Sequence, residues 1–344
     1  MPGCAPWDEP MPGIPRVTFR RGAASGAADR FRSCVVVTMT EPWALVGESL
    51  GGAVRRVGFL TGTDEASLSA LERQLPPAEG VIGVGGGSSL DAAKYIAGTR
   101  GSRLLLVPTI LSVDACVTTA AAVRVNDRVR YVGDITAEEV LVDYDLLRQA
   151  PPHLNRAGIG DILSIHTALE DWRSGAGLGG PAWNAAIADE ARRLLDRLQA
   201  SLPDIRAVTE TGMRELVDLF TAETELCLRA GHSRPEEGTE HYLAYCVEHC
   251  LRRGFVHGEL ICLCIIVMAA LQGNAADYAI RVVRSAGLRV QPVQIGLNDA
   301  DLAEAVCALP EYVRAEGLFP SAVTEAQIDI ARAREVVEQT LQHA

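Results

Sequence analysis

GVGGGSSLDAAK, residues 83–94, is the stretch that decides the fold. It follows the apolar run VIGV (residues 81–84), which has the pattern of a buried strand, and it leads into a helical stretch. Consecutive glycines let a backbone approach a pyrophosphate because no Cβ intrudes, and a helix start offers free N–H groups. A serine-capped turn without a ligand is the simpler interpretation. The order of strand, triple glycine and helix favours a dinucleotide-binding turn.

Apolar strands alternate with helical stretches on either side of this turn. CVVVT (residues 34–38) is a β-branched run, and Leu68, Leu71 and Leu75 recur at helical spacing. Such alternation predicts a parallel, doubly wound sheet. VRVNDRVRYV (residues 123–132) has Asn-Asp between two β-branched runs and predicts a hairpin.

The pattern changes at the pair Pro151-Pro152, after which the chain reads almost wholly as helices. The predicted fold is therefore an α/β Rossmann-like N-terminal domain followed by an all-helical C-terminal domain. Its predicted parts are a loose N-terminal tail over residues 1–15, the α/β domain over 16–152 and the helical domain over 153–344.

Composition excludes several classes of protein. The net charge of −12 over 344 residues argues against a nucleic-acid binder, which needs basic patches. The longest apolar run, residues 261–271, is about half of what a membrane span requires, so we expect a buried helix there. Nine cysteines without a CxxC pair indicate free thiols and a reducing cytoplasm. These features predict neither a nucleic-acid partner nor a membrane association.

The glycine-rich stretch resembles the GGGSxxDxAK signature of the superfamily that contains iron-containing alcohol dehydrogenases, glycerol dehydrogenases and dehydroquinate synthases. A second stretch, PTILSVDACVT (residues 108–118), is similar to the PTxxSxDGxxS motif of glycerol-1-phosphate dehydrogenases. The resemblance implies a dehydroquinate synthase-like fold and an NAD or NADP cofactor. It also implies that Asp114 contacts the substrate. The cofactor-binding residues that it implies are Gly85, Gly86, Gly87, Ser88, Asp91, Thr109, Ser112 and Thr118.

A metal site is expected from Asp161, His241 and His257. One carboxylate and two imidazoles suit Zn²⁺ with an open coordination position, and they also accept Fe²⁺. Taken alone, each histidine is more readily explained as a structural or surface residue, because the chain holds seven. The resemblance adds specificity, since the family pattern is GxGD, then an EH pair, then HG sixteen residues after the first histidine. GDILSIHTALEDW (residues 160–172) is also similar to the GDxxxxxTAxxDW stretch of glycerol-1-phosphate dehydrogenases.

Two positions depart from the family pattern. Tyr245 stands where the EHxxxH motif has its second histidine, which touches substrate or relays protons, so Tyr245 is a candidate catalytic residue. A phenol can donate a proton but is a poor base near pH 7. The end of the first strand reads TMTE (residues 38–41) without the Asp that relatives often place there, which leaves NAD and NADP both open.

The expected function is metal-dependent, NAD(P)-linked reduction of the carbonyl of a small hydroxy-ketone, or oxidation of the corresponding polyol, with or without a phosphate. Zn²⁺ is the preferred metal and Fe²⁺ the alternative. Two other functions stay open: a sugar-phosphate cyclase that uses NAD catalytically, as dehydroquinate synthase does, and a non-catalytic relative that binds a nucleotide. The resemblance also implies a homo-oligomer.

Overall fold

A computed structural model describes residues 12–289 and 291–343, with His343 described through its backbone only. The chain divides into two compact units. The first comprises residues 1–110 and 115–149, and the second comprises 111–114 and 150–344. This division differs from the predicted one because the short segment 111–114 belongs with the helical unit. Most of the predicted loose tail lies outside the described residues, and Ile14 within it is buried.

The first unit is built on a six-stranded parallel sheet in the order β1-β8-β5-β4-β2-β3. Its strands are β1 (Arg16–Arg20), β2 (Cys34–Thr38), β3 (Val54–Phe59), β4 (Gly80–Gly85), β5 (Arg103–Pro108) and β8 (Glu139–Asp143). Strands β2 and β4 are buried along their whole length, as expected of apolar strands in a parallel sheet. The predicted parallel sheet is confirmed. Strand β1 was not predicted, because its sequence RVTFR is a short stretch with three polar residues at the sheet edge.

The strand order reverses between β2 and β4, which is where open α/β sheets bind ligands. A side chain joins the two strand ends there, because the Thr38 hydroxyl donates to the Val84 carbonyl at 2.8 Å. The helices of this unit are α1 (Thr40–Val46), α2 (Glu65–Gln74), α3 (Gly87–Arg100) and α4 (Tyr144–Leu147). Helix α3 begins directly after β4, so the glycine-rich turn lies at the reversal point.

The predicted hairpin is also present. Strands β6 (Ala121–Val125) and β7 (Arg128–Val132) pair antiparallel. Asn126 and Asp127 connect them with φ of 53° and 60°, the conformation that a two-residue hairpin turn requires.

The second unit is helical in its described residues. Its helices are α5 (Pro152–Arg156), α6 (Ile159–Gly175), α7 (Ala185–Arg206), α8 (Glu210–Ala230), α9 (Thr239–Leu251), α10 (His257–Gln272), α11 (Ala276–Ala286), α12 (Asp299–Glu316), α13 (Ala322–Glu325) and α14 (Ile330–His343). Helix α10 is buried from Gly258 to Ala269, as predicted for the apolar run, and packs against α6. Within the described residues, no helix combines the length and the apolar character that crossing a membrane would need.

Candidate metal centre and nucleotide-binding turn

Three helix starts in the second unit bring the predicted metal ligands together. Asp161 lies in the first turn of α6, His241 in the first turn of α9, and His257 is the first residue of α10. One potential ligand atom from each lies within 4.8 Å of the other two. His257 Nε2 is 3.3 Å from Asp161 Oδ1, and the two imidazole rings are 5.4 Å apart. Residues separated by almost a hundred positions therefore face one point.

Glycines make this convergence possible. A Cβ on Gly160 would lie 2.8 Å from the Gly258 carbonyl oxygen, and a Cβ on Gly258 would lie 2.0 Å from the Ala157 carbonyl oxygen. The backbones of α6 and α10 thus touch one residue away from Asp161 and His257. Gly238 brings the start of α9 equally close to α6, since its Cβ would lie 2.8 Å from Ala168 Cα. Any side chain at these positions would separate the helix starts.

The donor set fits a divalent metal ion. Asp161 Oδ1 is buried and has no hydrogen-bond partner among the described residues, while Oδ2 accepts the Asp114 N–H at 2.8 Å. A buried carboxylate oxygen without a partner is costly, and a cation would satisfy it. His241 contributes Nε2, because its Nδ1 lies 3.0 Å from Glu240 Oε1. One carboxylate and two imidazoles form a three-ligand set with room for a further ligand.

Glu240 orients the His241 ring. It is fully buried and accepts hydrogen bonds from the Thr167 hydroxyl at 2.7 Å and from the Gly238 N–H at 2.6 Å. Burial by itself lowers the pKa of His241, but the hydrogen bond to Glu240 and the nearby carboxylates outweigh it and raise that pKa to about 9. The surroundings of this ring therefore attract positive charge, which a bound metal ion would supply in place of the proton. Carboxylates behind metal-binding histidines commonly have this orienting role.

A second group of carboxylates lies beside these ligands. Asp114, Glu223 and Glu236 each place one oxygen within 4.8 Å of the other two. Glu223, from α8, is fully buried, and burial followed by the charge of Glu236 raises its pKa well above the usual value. Burial followed by the charge of Asp114 has the same effect on the pKa of Glu236. Sequence reasoning identified Asp114 but missed both glutamates, because nothing in their local sequence marks them.

Tyr245, the candidate catalytic residue, lies one turn after His241 on α9. Its hydroxyl donates to Glu237 Oε1 at 2.8 Å, and its ring is 6.1 Å from the His241 ring. Glu237 belongs to the loop between α8 and α9, which the buried Arg234 anchors by donating to the Phe319 and Pro320 carbonyls. Glu237 is another residue that sequence reasoning missed.

The glycine-rich turn of the first unit presents backbone at the end of β4. Gly85 has a φ of +143°, which side-chain-bearing residues rarely adopt, and a Cβ there would lie 2.6 Å from Ser89 Oγ. Gly86 and Gly87 are half-buried and Ser88 is exposed at the start of α3, where no side chain caps the helix. The first N–H groups of α3 are thus available to an anion such as a pyrophosphate.

The single lysine of the chain fixes the surroundings of the turn. Lys94 is almost fully buried, pairs with Asp91 at 2.9 Å, and donates to Thr118 Oγ1 at 3.1 Å and to the Ala120 carbonyl at 2.7 Å. The Thr109 N–H donates to the Gly85 carbonyl at 3.0 Å. Predicted cofactor residues Asp91, Thr109 and Thr118 therefore surround the turn in the first unit. Ser112 lies in the second unit, where its carbonyl accepts the Gly258 N–H at 3.2 Å.

Comparison with known proteins gives consistent matches. Residues 27–151 match the family model described as iron-containing alcohol dehydrogenase. The chain is 30% identical over 289 residues to a glycerol-1-phosphate dehydrogenase (NAD(P)+) of Hyperthermus butylicus, covering 81% of this chain and 82% of that protein. It is 27% identical to the Aeropyrum pernix protein of the same name, covering 83% of each. The crystal structure of a glycerol dehydrogenase from Schizosaccharomyces pombe has the same fold, with a TM-score of 0.73 at 17% identity, covering 97% of this chain and 91% of that one.

Proposed function

Since the chain belongs to the glycerol-1-phosphate dehydrogenases, a family of metal-dependent NAD(P)-linked oxidoreductases, we propose that it reduces the carbonyl group of a small hydroxy-ketone. In this reaction a hydride passes from NAD(P)H to the carbonyl carbon, and a proton is added to the oxygen, giving the alcohol and NAD(P)+. The reverse reaction oxidises a small polyol. The proposed metal is Zn²⁺, with Fe²⁺ as the alternative.

The observation that carries the proposal is the buried Oδ1 of Asp161, which accepts no hydrogen bond in the described part of the chain and faces His241 and His257. These three residues would hold the metal. When bound, a divalent ion supplies Lewis acidity, which stabilises negative charge on the carbonyl oxygen. Glu240 holds the His241 ring through Nδ1 and so keeps Nε2 directed at the site.

The remaining residues have proposed roles in binding and proton transfer. The Tyr245 hydroxyl and water are the candidate proton donors, and the hydrogen bond from Tyr245 to Glu237 fixes the phenol. Gly85, Gly86, Gly87 and the start of α3 would bind the pyrophosphate of the dinucleotide, with Ser88, Asp91, Thr109 and Thr118 of the same unit around it. Ser112, which belongs to the second unit, stays a predicted cofactor contact. A homo-oligomer and a cytoplasmic location stay predictions.

The test is NAD(P)H oxidation at 340 nm with dihydroxyacetone, hydroxyacetone and dihydroxyacetone phosphate, each with and without a chelator. We expect turnover that the chelator abolishes and added Zn²⁺ restores. Turnover that ignores the chelator would contradict the metal's role. Release of inorganic phosphate without a net change at 340 nm would indicate the cyclase reaction instead.

A further inference from the structure

Two arginines of the helical unit, Arg156 of α5 and Arg206 of α7, are named here the arginine pair. They form no ion pair with a carboxylate in the described part of the chain. Helices α5 and α11 both pack against α7, and the two guanidiniums meet at Gly287, the glycine that follows α11. A Cβ built on Gly287 would lie 3.3 Å from Arg156 Nη1 and 3.5 Å from Arg206 Nε. The two nitrogens are therefore within about 7 Å of each other, since that is the sum of the two distances.

Most hydrogen-bond donors of the arginine pair are unused within residues 12–289 and 291–343. Each guanidinium has five N–H groups. Arg206 uses Nη1, which donates to the Ser285 carbonyl at 3.2 Å. Arg156 is half-buried, and its Nε is buried without a hydrogen-bond partner among the described residues. A guanidinium stays protonated at every physiological pH, so the loss of a proton cannot relieve this charge.

The charged neighbours of the arginine pair do not balance it. Glu259 is matched to Arg289, since it accepts from Arg289 Nε at 2.8 Å and from Nη2 at 2.9 Å. His153 lies three residues before Arg156 on the same helix. Burial and then the charge of Arg289 lower the pKa of the His153 ring, and Arg156 acts in the same direction. Glu259 therefore neutralises Arg289 and leaves the positive charge of the arginine pair in excess.

The carboxyl end of α11 is the simpler reason for cations at this place. Its last carbonyls carry about half an elementary negative charge, which falls short of two guanidiniums. Arg206 contacts them through Ser285, whereas no hydrogen bond joins Arg156 to them in the described residues. Asp204, two residues before Arg206, accepts from the Thr209 hydroxyl at 2.8 Å instead. Helix capping therefore accounts for Arg206 and leaves Arg156 unexplained.

We infer that the arginine pair binds the phosphate group of a small molecule, either inorganic phosphate or a phosphate monoester. This inference goes beyond the proposed function and does not depend on it. Guanidinium N–H groups match phosphate oxygens in geometry and charge, with N···O distances of about 2.8 Å. Two donors that contact different oxygens of one phosphate lie up to about 8 Å apart, so the spacing at Gly287 fits. A side chain at position 287 would contact both guanidiniums, and glycine keeps them accessible to one ligand.

The charge of the chain favours selective binding at this place. The net charge is −12, so most of the surface repels small anions and the arginine pair is a local exception. A phosphate dianion brings two negative charges, which equal the charge of the pair, whereas chloride brings one charge and no set of oxygens. We therefore expect a preference for phosphate over chloride at equal ionic strength.

Calorimetric titration of the Zn²⁺-loaded protein with inorganic phosphate and with methyl phosphate tests the inference. The titrations are made at constant ionic strength and pH 8, where both ligands are mainly dianions. We expect one phosphate per chain at the arginine pair. In Arg156→Gln/Arg206→Gln the dissociation constant should rise at least about tenfold, because charge-assisted hydrogen bonds to the phosphate are lost. Tighter binding of methyl phosphate would identify a monoester as the occupant, and tighter binding of inorganic phosphate would identify the free ion.

Controls separate the arginine pair from folding and from the metal. Arg192→Gln/Arg193→Gln removes the same charge from exposed positions of α7 and should bind phosphate normally. Arg156→Gln alone breaks no hydrogen bond of the described residues, so it should fold normally and still bind phosphate more weakly. His241→Ala should keep the phosphate site, which distinguishes it from an anion bound by the metal ion. Thermal unfolding with and without phosphate checks the folding of each variant.

The outcomes separate this inference from the proposed function. Phosphate binding that both arginine variants weaken and the α7 control retains supports the inference, whatever the turnover of NAD(P)H. Binding that is unchanged in Arg156→Gln/Arg206→Gln, or that only His241→Ala abolishes, would overturn it and leave the proposed function intact. Absence of phosphate binding to the unmodified protein, or equal competition by chloride, would also overturn it and assign Arg206 to the capping of α11 alone.

Discussion

The nucleotide-binding turn of the first unit and the metal centre of the second unit are built from different kinds of chemical groups. The turn uses backbone groups of consecutive residues, Gly85 to Ser88, at the end of one strand. The metal centre uses side chains from three helices whose starts are held together at Gly160, Gly238 and Gly258. Glycine gives the turn an unusual φ, whereas in the metal centre it lets helices touch.

This difference has an electrostatic consequence. The turn offers partial positive charge from N–H groups, and the Asp91–Lys94 ion pair beside it is internally neutral. The metal centre contains buried carboxylates, and a cation is needed to balance their negative charge. Substitutions should therefore have larger effects in the second unit than in the first.

Removal of a metal ligand should have the largest effect. His241→Ala leaves two of the three ligands, and we expect kcat/KM to fall by about 1,000-fold or more, together with loss of bound metal. Metal content by mass spectrometry and NAD(P)H oxidation measure the two losses. The matched control is His249→Gln on the same helix, whose ring packs against Tyr312, 5.7 Å away. Equal activity in both variants would contradict the assignment of His241.

The buried Asp171 should make the helical unit less stable at neutral pH. Burial and then the charge of Glu240 raise its pKa from 3.8 to about 6. Between these two pKa values the folded state therefore binds more protons than the unfolded state. As a consequence, the free energy of unfolding should fall by about 3 kcal/mol as the pH rises from below 4 to above 6. Urea unfolding at pH 4 and 7 measures the loss.

Asp171→Asn should flatten this pH dependence, because an amide does not titrate. The amide oxygen can still accept a hydrogen bond from the Thr239 N–H, which donates to Asp171 Oδ2 at 2.6 Å. The exposed Asp189→Asn serves as the control. If Asp171→Asn retains the pH slope of the unmodified protein, the buried carboxyl is not its source.

Loss of the carboxylate behind His241 should have an intermediate effect. Glu240→Gln removes the charge that orients the ring, and we expect metal affinity to fall 10- to 100-fold, by the usual cost of such a change. Competition with a chelator of known affinity measures it. An unchanged affinity would mean that the ring is positioned by packing alone.

A substitution in the turn should have the smallest effect. Gly85→Ala must adopt a φ of +143° and place its Cβ 2.6 Å from Ser89 Oγ, so we expect NAD(P)H to bind about tenfold more weakly. Gly98→Ala, in helix α3 after the turn and with open space around it, is the control and should bind normally. Fluorescence titration gives both dissociation constants. If the affinity for NAD(P)H fell by a larger factor in Gly85→Ala than kcat/KM falls in His241→Ala, the comparison between the two units would be reversed.

The turn could be predicted from sequence because its parts are contiguous. Strand, glycines and helix follow one another within residues 80–100, so their order in the chain is their order in space. The metal ligands could be identified only through motif spacing in a known family, since nothing local joins Asp161 to His257. The motif spacing follows from the positions of the three helix starts along the chain, which the glycines hold close together.

The grouping of Asp114, Glu223 and Glu236 could not be predicted from the sequence. Glu223 is one of several acidic residues on α8, and Glu236 lies in a loop with another glutamate beside it. Only the packing of α8 beside α6 and the segment 111–114 gives these two residues their proximity to Asp114. Strand β1 was missed for a related reason, because its pairing with β8 is set by residues more than a hundred positions away.

X-ray absorption at the metal edge tests the central assignment most directly. The Zn²⁺-loaded protein should show two imidazole ligands and oxygen scatterers, and His241→Ala should show one imidazole. A sulfur shell would contradict the assignment and point to a thiol such as the buried Cys262, while a spectrum that His241→Ala leaves unchanged would place the metal elsewhere.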